Sequence, residues 1–177
     1  MERMIATFRM PRYREIPDVG LYLDQTVKYL NRFLAPLGCM TVTSSMISNY
    51  VKKRYIDPPV RKQYTADQIA CLFFICITKS VLSMEHISRL FEIQRRTYTR
   101  QIAYDYFCSE LEYGIARLFE LPEPPKPCVS QMTEEWRILR SVVTTVAHIV
   151  YLSFELDALD QTHQPPALPA PEEARQA

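Results

Sequence analysis

From Gln131 to Leu159 the chain reads as one helix that cannot be covered from a single side. At 100° per residue, Trp136, Leu139, Val143, Val146 and Val150 fall on one apolar stripe. Ile138, Val142, Ile149, Leu152 and Leu156 fall on a second. A helix apolar on two faces has to be packed on two faces. The preceding helix is predicted over 97–121 from its own stripe, Tyr104, Phe107, Leu111, Ile115 and Leu118, and it can cover only one of them. A second copy of the chain is the economical cover for the other. The sequence therefore predicts a homodimer through residues 131–159. Thirteen prolines against three glycines agree with helices joined by stiff connectors, because hairpin turns that demand glycine have few candidates. The fold expected is all-α.

Residues 1–16 are basic and aperiodic, and read as a loosely held arm. A first helix is predicted from Pro17-Asp18, with Leu23, Val27, Leu30 and Leu34 as its stripe, ending at Pro36-Leu37-Gly38. Thr43 is placed to cap a second helix. Thr65 and Gln68 form a capping-box pattern for a third, and Ser83 caps a fourth. These elements make one unit over 17–95. Residues 96–160 form a helical dimerisation or effector region, interrupted at 122–129 (PEPPKPCV) by a segment that cannot be helical. The tail, 161–177, is proline-rich and polar, and is expected to be disordered.

The stretch 41–64, TVTSSMISNYVKKRYIDPPVRKQY, carries the candidate chemistry. Met46, Ile47, Tyr50 and Val51 share one arc of the helix after Thr43. Ser44, Ser45, Ser48, Asn49 and Lys52 share the opposite one. That outer face holds small hydrogen-bonding side chains and no long apolar residue, so it can enter a groove and bond polar edges there. Lys52, Lys53 and Arg54 follow, then a rigid Asp57-Pro58-Pro59 segment, then Arg61 and Lys62. The net charge of +1 conceals an asymmetry. Residues 1–100 hold 16 Lys+Arg against 8 Asp+Glu, whereas residues 101–177 hold 5 against 12, so the halves carry +8 and −7. Thr43, Ser44, Ser45, Ser48, Asn49, Lys52, Lys53, Arg54, Arg61 and Lys62 are thus the candidate contacts to double-stranded DNA. The cations would meet phosphates, and Ser48 and Asn49 base edges.

Other chemistries find less support. Cys39, Cys71, Cys76, Cys108 and Cys128 form an odd, widely spaced set without chelating partners, which predicts neither disulfide nor metal. With three scattered histidines and no glycine-rich phosphate loop, no enzyme is predicted. No cofactor is called for. The longest uncharged apolar run, Ser141–Phe154, is shorter than the roughly 20 residues of a membrane span, and residues 1–15 do not resemble a secretory signal. A cytoplasmic protein that does not engage membranes is expected. Tyr104, Phe107, Trp136 and Leu139 could line a pocket for a small-molecule effector between the last two helices. The alternative overall reading is a helical interaction or adaptor module that binds no DNA and works through its two-striped final helix.

The run Met46-Ile47-Ser48-Asn49-Tyr50-Val51-Lys52-Lys53-Arg54-Tyr55-Ile56-Asp57-Pro58-Pro59, with Tyr64-Thr65 and Val81-Leu82-Ser83-Met84-Glu85-His86-Ile87, resembles the DNA-binding head of MerR-type regulators. Residues 12–95 more narrowly resemble a MerR-like bacterial family catalogued as domain of unknown function number eighteen thirty-six, on Ile16-Pro17, Leu21-Tyr22, Asp24-Gln25, Ser48-Asn49-Tyr50-Val51-Lys52 and Pro58-Pro59. The resemblance covers about half the chain and implies a winged helix-turn-helix-like head; the two long helices after it are read from their apolar stripes alone. Ser48 stands where those regulators usually carry arginine, and Arg54 where they carry glycine. The wing, 59–64, is short and free of glycine, and reads as a tight turn.

Overall fold

The computed structural model describes residues 5–127 and 133–162, so the first four residues, Cys128 and most of the tail expected to be disordered lie outside the described residues. The described residues form six α-helices: α1 (Leu23–Leu34), α2 (Ser44–Lys52), α3 (Ala66–Thr78), α4 (Met84–Thr97), α5 (Arg100–Leu118) and α6 (Glu134–Thr162). Two short antiparallel strands, β1 (Leu21–Tyr22) and β2 (Gln63–Tyr64), pair Leu21 with Tyr64 and Tyr22 with Gln63. The fold is mostly helical, as expected.

Helix α3 sits at the centre. Thr65 caps it, its Oγ1 accepting from the Gln68 N–H while Gln68 Oε1 accepts from the Thr65 N–H at 2.9 Å. Ile69, Leu72, Phe73, Ile75 and Ile77 are all fully buried, so the helix is apolar around most of its circumference and must be wrapped. Phe73 meets Tyr29 and Phe33 of α1 and Tyr104 of α5, with ring centroids 6.0–6.2 Å apart. Phe74 meets Phe91 of α4 and Phe107 of α5. Such offset and edge contacts between rings add about 0.5–1.5 kcal/mol each beyond the area they bury.

The first helix begins at Leu23, later than the sequence suggested. Gly20 has φ +78°, and a Cβ there would lie 3.1 Å from Gln63 Cβ. The chain turns at this glycine and spends residues 21–22 pairing with β2 before it can coil. The loosely held arm expected over residues 1–16 is, from residue 5, a packed strap. Ile5, Met10 and Ile16 are buried. Arg12 grips Glu112 of α5 with both guanidinium nitrogens (2.9 and 2.6 Å), and the Met10 N–H donates to the same carboxylate at 2.8 Å. The Tyr13 N–H donates to Asp105, and its hydroxyl to Asp67. A strap held by partners some hundred residues away leaves no periodicity in the sequence.

Helices α5 and α6 run parallel. Arg140 faces Glu110, Gly114 lies against Ala147, and Phe119 packs on Tyr151 and Phe154. On α6 the first apolar stripe is covered, with Val143, Val146 and Val150 buried. The second is covered only in part: Val142 is buried and Ile149 half-buried, whereas Ile138, Leu152 and Leu156 are 44, 56 and 60% exposed. By length and composition alone, residues 134–160 could also cross a membrane, a property shared with long core helices, and one third of the window concerned is buried.

Burial pushes the thiols of Cys76 and Cys108 up to about 12 from an ordinary value of 9.0. A raised value in the fold stabilises the protein fully below pH 9, and that contribution is lost as pH rises from 9 towards 12, where the unfolded chain releases protons the fold retains. Urea midpoints should therefore fall steadily above pH 9, and less steeply in Cys76→Ala/Cys108→Ala. Equal slopes for the two proteins would rule the thiols out as the cause.

Candidate nucleic-acid interface

Helix α2 is short, and its placement depends on side chains outside it. Thr43 Oγ1 accepts from the Met46 N–H and lies 2.9 Å from Ser45 Oγ. Asn31 of α1 clamps the approach, its Nδ2 donating to the Val42 carbonyl and its Oδ1 accepting from the Val42 N–H, both at 2.8 Å. Ile47 and Tyr50 anchor the inner face, with Met46 and Val51 half-buried beside them. Thr43, Ser45, Ser48, Asn49, Lys52, Lys53 and Arg54 are exposed, and Ser44 is half-buried. The arc predicted to face outward does so.

The helix ends with the Arg54 N–H donating to the Val51 carbonyl and the Tyr55 N–H to the Tyr50 carbonyl. This is the Schellman pattern, and its left-handed position, usually glycine, is filled here by Arg54 at φ +59°. The next segment is held from α3, where Gln68 Nε2 donates to the Asp57 and Pro58 carbonyls at 2.7 and 3.1 Å. Then Val60 and Gln63 close a two-residue turn whose central residues, Arg61 and Lys62, have φ +50° and +67°. Two successive positive φ values are those of a type I′ turn, which favours Asn-Gly. The glycine-free segment thus forms the tight turn read from the sequence, with β2 joined to β1 behind it.

Four non-glycine residues have positive φ among the described residues, and three of them are Arg54, Arg61 and Lys62. The strain falls on cations that a stability-driven sequence would replace with glycine or asparagine, and strain of that kind concentrates at functional sites. Fourteen of the nineteen lysines and arginines among the described residues face no carboxylate, and what sets the candidate cations apart is that five of the fourteen are crowded into residues 52–62. Arg9, Arg12, Arg100, Arg117 and Arg140 each face a carboxylate. Among the described residues, Lys52, Lys53, Arg54, Arg61 and Lys62 pair with none, although all are exposed. Five unpaired cations within eleven residues can neutralise phosphates without first breaking internal ion pairs.

The pocket residues named from the sequence come together as well. Tyr104 and Phe107 of α5 and Trp136 and Leu139 of α6 line one cavity of about 260 Å³, which α3 and α4 complete with Ala70, Phe74 and Phe91 among others. Sequence reasoning missed the clamps. Asn31 carries no motif, and Gln68 was legible as half of a capping box but not as the holder of residues 57–58. No group of three His, Cys, Asp or Glu that could hold a metal stands among the described residues, and Cys39, Cys71, Cys76 and Cys108 are free thiols.

The model of the family described as "Domain of unknown function (DUF1836)" matches residues 11–107. The matched part runs from the N-terminal strap into α5 and holds all ten candidate DNA contacts; α6 lies outside it. No curated protein and no solved structure matches the chain.

Replacing the strained pair by the residues this turn prefers, Arg61→Asn/Lys62→Gly, should raise stability by about 1 kcal/mol, since the left-handed penalty of roughly 1–2 kcal/mol per residue is relieved at some entropic cost from glycine. Urea unfolding measures it. A loss of stability would mean that these side chains, not their charges, hold the turn.

Proposed function

The chain belongs to the DUF1836 family, and from that premise we propose that it is a DNA-binding transcriptional regulator, which grips duplex DNA with α2 and the basic turn at 57–64 and works as a homodimer. The observation that carries this reading is the set of five exposed, unpaired cations, three of them held at strained backbone positions, beside a polar helix face. The MerR likeness supports it at one position in particular. Arg54 stands where that family carries glycine, and the backbone there is in the left-handed region that explains a glycine. In this reading Lys52, Lys53, Arg54, Arg61 and Lys62 meet phosphates. Thr43, Ser44 and Ser45 at the helix start position it on the backbone, and Ser48 and Asn49 face base edges.

The dimer is argued from α6. Ile138, Val142, Thr145, Ile149, Leu152, Leu156 and Leu159 follow one another at alternating spacings of four and three, the period of a helix–helix seam. The seam is apolar except at Thr145, and the residues at its C-terminal end are mostly exposed within one chain. Burying a Leu or Ile there stabilises by roughly 1.5–3 kcal/mol. The same seam favours the second reading, an adaptor that engages other helices and no DNA. The two are separated by DNA itself.

Two chains present ten cations, and six to eight phosphate contacts would give a slope of log K against log salt of about −5 to −7. Anisotropy titrations across a salt series should return that slope for the parent. Lys52→Ala/Arg61→Ala should weaken binding to all sequences alike and flatten the slope by about one per lost contact. Identical curves for the two proteins, or no binding by either at low salt, would transfer the function to the adaptor reading. For the dimer, Leu152→Glu/Leu156→Glu should convert a particle of twice 20.7 kDa into a monomer by light scattering. A parent already at 20.7 kDa in micromolar solution would end that part of the proposal.

A further inference from the structure

The cavity of about 260 Å³ is larger than the 150 Å³ that holds benzene in an engineered core, and lies just below the range of drug-sized sites. It suits a molecule of about two fused rings. Its walls favour flat aromatic surfaces. Phe74 stands 5.3 Å from Phe91 and 5.0 Å from Phe107 between ring centroids, and Tyr98, Tyr104, Tyr106 and Trp136 add further rings. The polar groups on the wall are unequal. Tyr106 spends its hydroxyl on Glu110, and the Gln94 amide donates to the Tyr98 carbonyl. Glu135, the one carboxylate on the wall, is turned to the backbone N–H at the start of its own helix and to Thr133, which hold it below its ordinary value. What remains is donor-rich. Arg100 pairs with Asp67 through Nε, 3.3 Å from Oδ1, and turns Nη1 to the neutral thiol of Cys71, which leaves Nη2 for a ligand. Trp136 Nε1 and the Tyr104 hydroxyl are buried without a hydrogen-bond partner. An aromatic cage with a forked cation and an idle N–H is complementary to an acceptor that bears negative charge.

We propose that this cavity binds a flat aromatic carboxylic acid of bicyclic size, its rings among Phe74, Phe91 and Phe107 and its carboxylate on Arg100. The site joins α3 and α4 of the family-matched region to α6, which lies beyond it, and it does not depend on the DNA reading.

Trp136 is the sole tryptophan, so its indole N–H gives one resonance that reports directly from the wall. The full chain, labelled with ¹⁵N and free of DNA, is titrated with 2-naphthoate and with 2-naphthamide, which has the same shape without the charge. The expected result is a saturable shift of the indole resonance with naphthoate and binding at least roughly tenfold weaker for the amide, the lower end of what a charge-assisted pair contributes. Arg100→Gln should abolish that preference. Ala103→Leu, which fills the cavity, should abolish both shifts. No shift with naphthoate, equal affinity for acid and amide, or a naphthoate shift that survives Ala103→Leu would each overturn the proposal. Should either variant fail to fold, the comparison of acid with amide on the parent protein decides.

Discussion

Helix α3 buries nine of its thirteen residues, so it has almost no surface of its own and every neighbouring element is positioned against it. Removing so much apolar area from water drives the packing, while the close fit of rings around Phe73 and Phe74 selects one arrangement of α1, α4 and α5. The helix also acts through its few polar side chains. Gln68 holds the loop that leads to the basic turn, and Asp67 takes the Tyr13 hydroxyl of the N-terminal strap and faces Arg100. A buried helix thereby sets the geometry of the exposed candidate interface without contributing a residue to it.

Within that interface, rigidity and charge are supplied by different residues. Asn31 and Gln68 are neutral and make their bonds to backbone, fixing Val42 and residues 57–58. The five cations take no part in holding the segment together. Had lysines or arginines been used as clamps, their charge would have been neutralised or desolvated and lost to a partner. The left-handed φ angles at Arg54, Arg61 and Lys62 follow the same division, since the backbone absorbs strain where glycine would be relaxed but uncharged.

Much of the fold was legible in the sequence because it is governed locally. Thr43, Thr65 and Ser83 cap the helices they were expected to cap, and the hydroxyl-to-amide geometry needs only four consecutive residues. The inner and outer arcs of α2 and the covered stripe of α6 follow from helical period. What escaped depends on distant partners or on backbone angles. Arg12 is one basic residue among several in an aperiodic stretch until Glu112 is brought beside it. Arg61 and Lys62 look like ordinary loop cations, and nothing in their type announces positive φ. For the cavity, residue types gave four of the lining side chains, but Arg100, its charged group, is supplied by the first turn of α5 and has no local signature.

The parallel run of α5 and α6 bears on how the molecule comes together. Antiparallel helices joined by a short loop can zip up as soon as both have coiled. Here the end of α5 and the start of α6 are separated by close to the length of α5, about 28 Å for 19 residues at about 1.5 Å each. The chain between them has to travel back before the first pair of side chains can meet, and closing so long a span carries an entropic cost that local helix formation does not. The pairing of α6 with α5 is thus a loop-closure event and not the zipping of two helices from a shared turn.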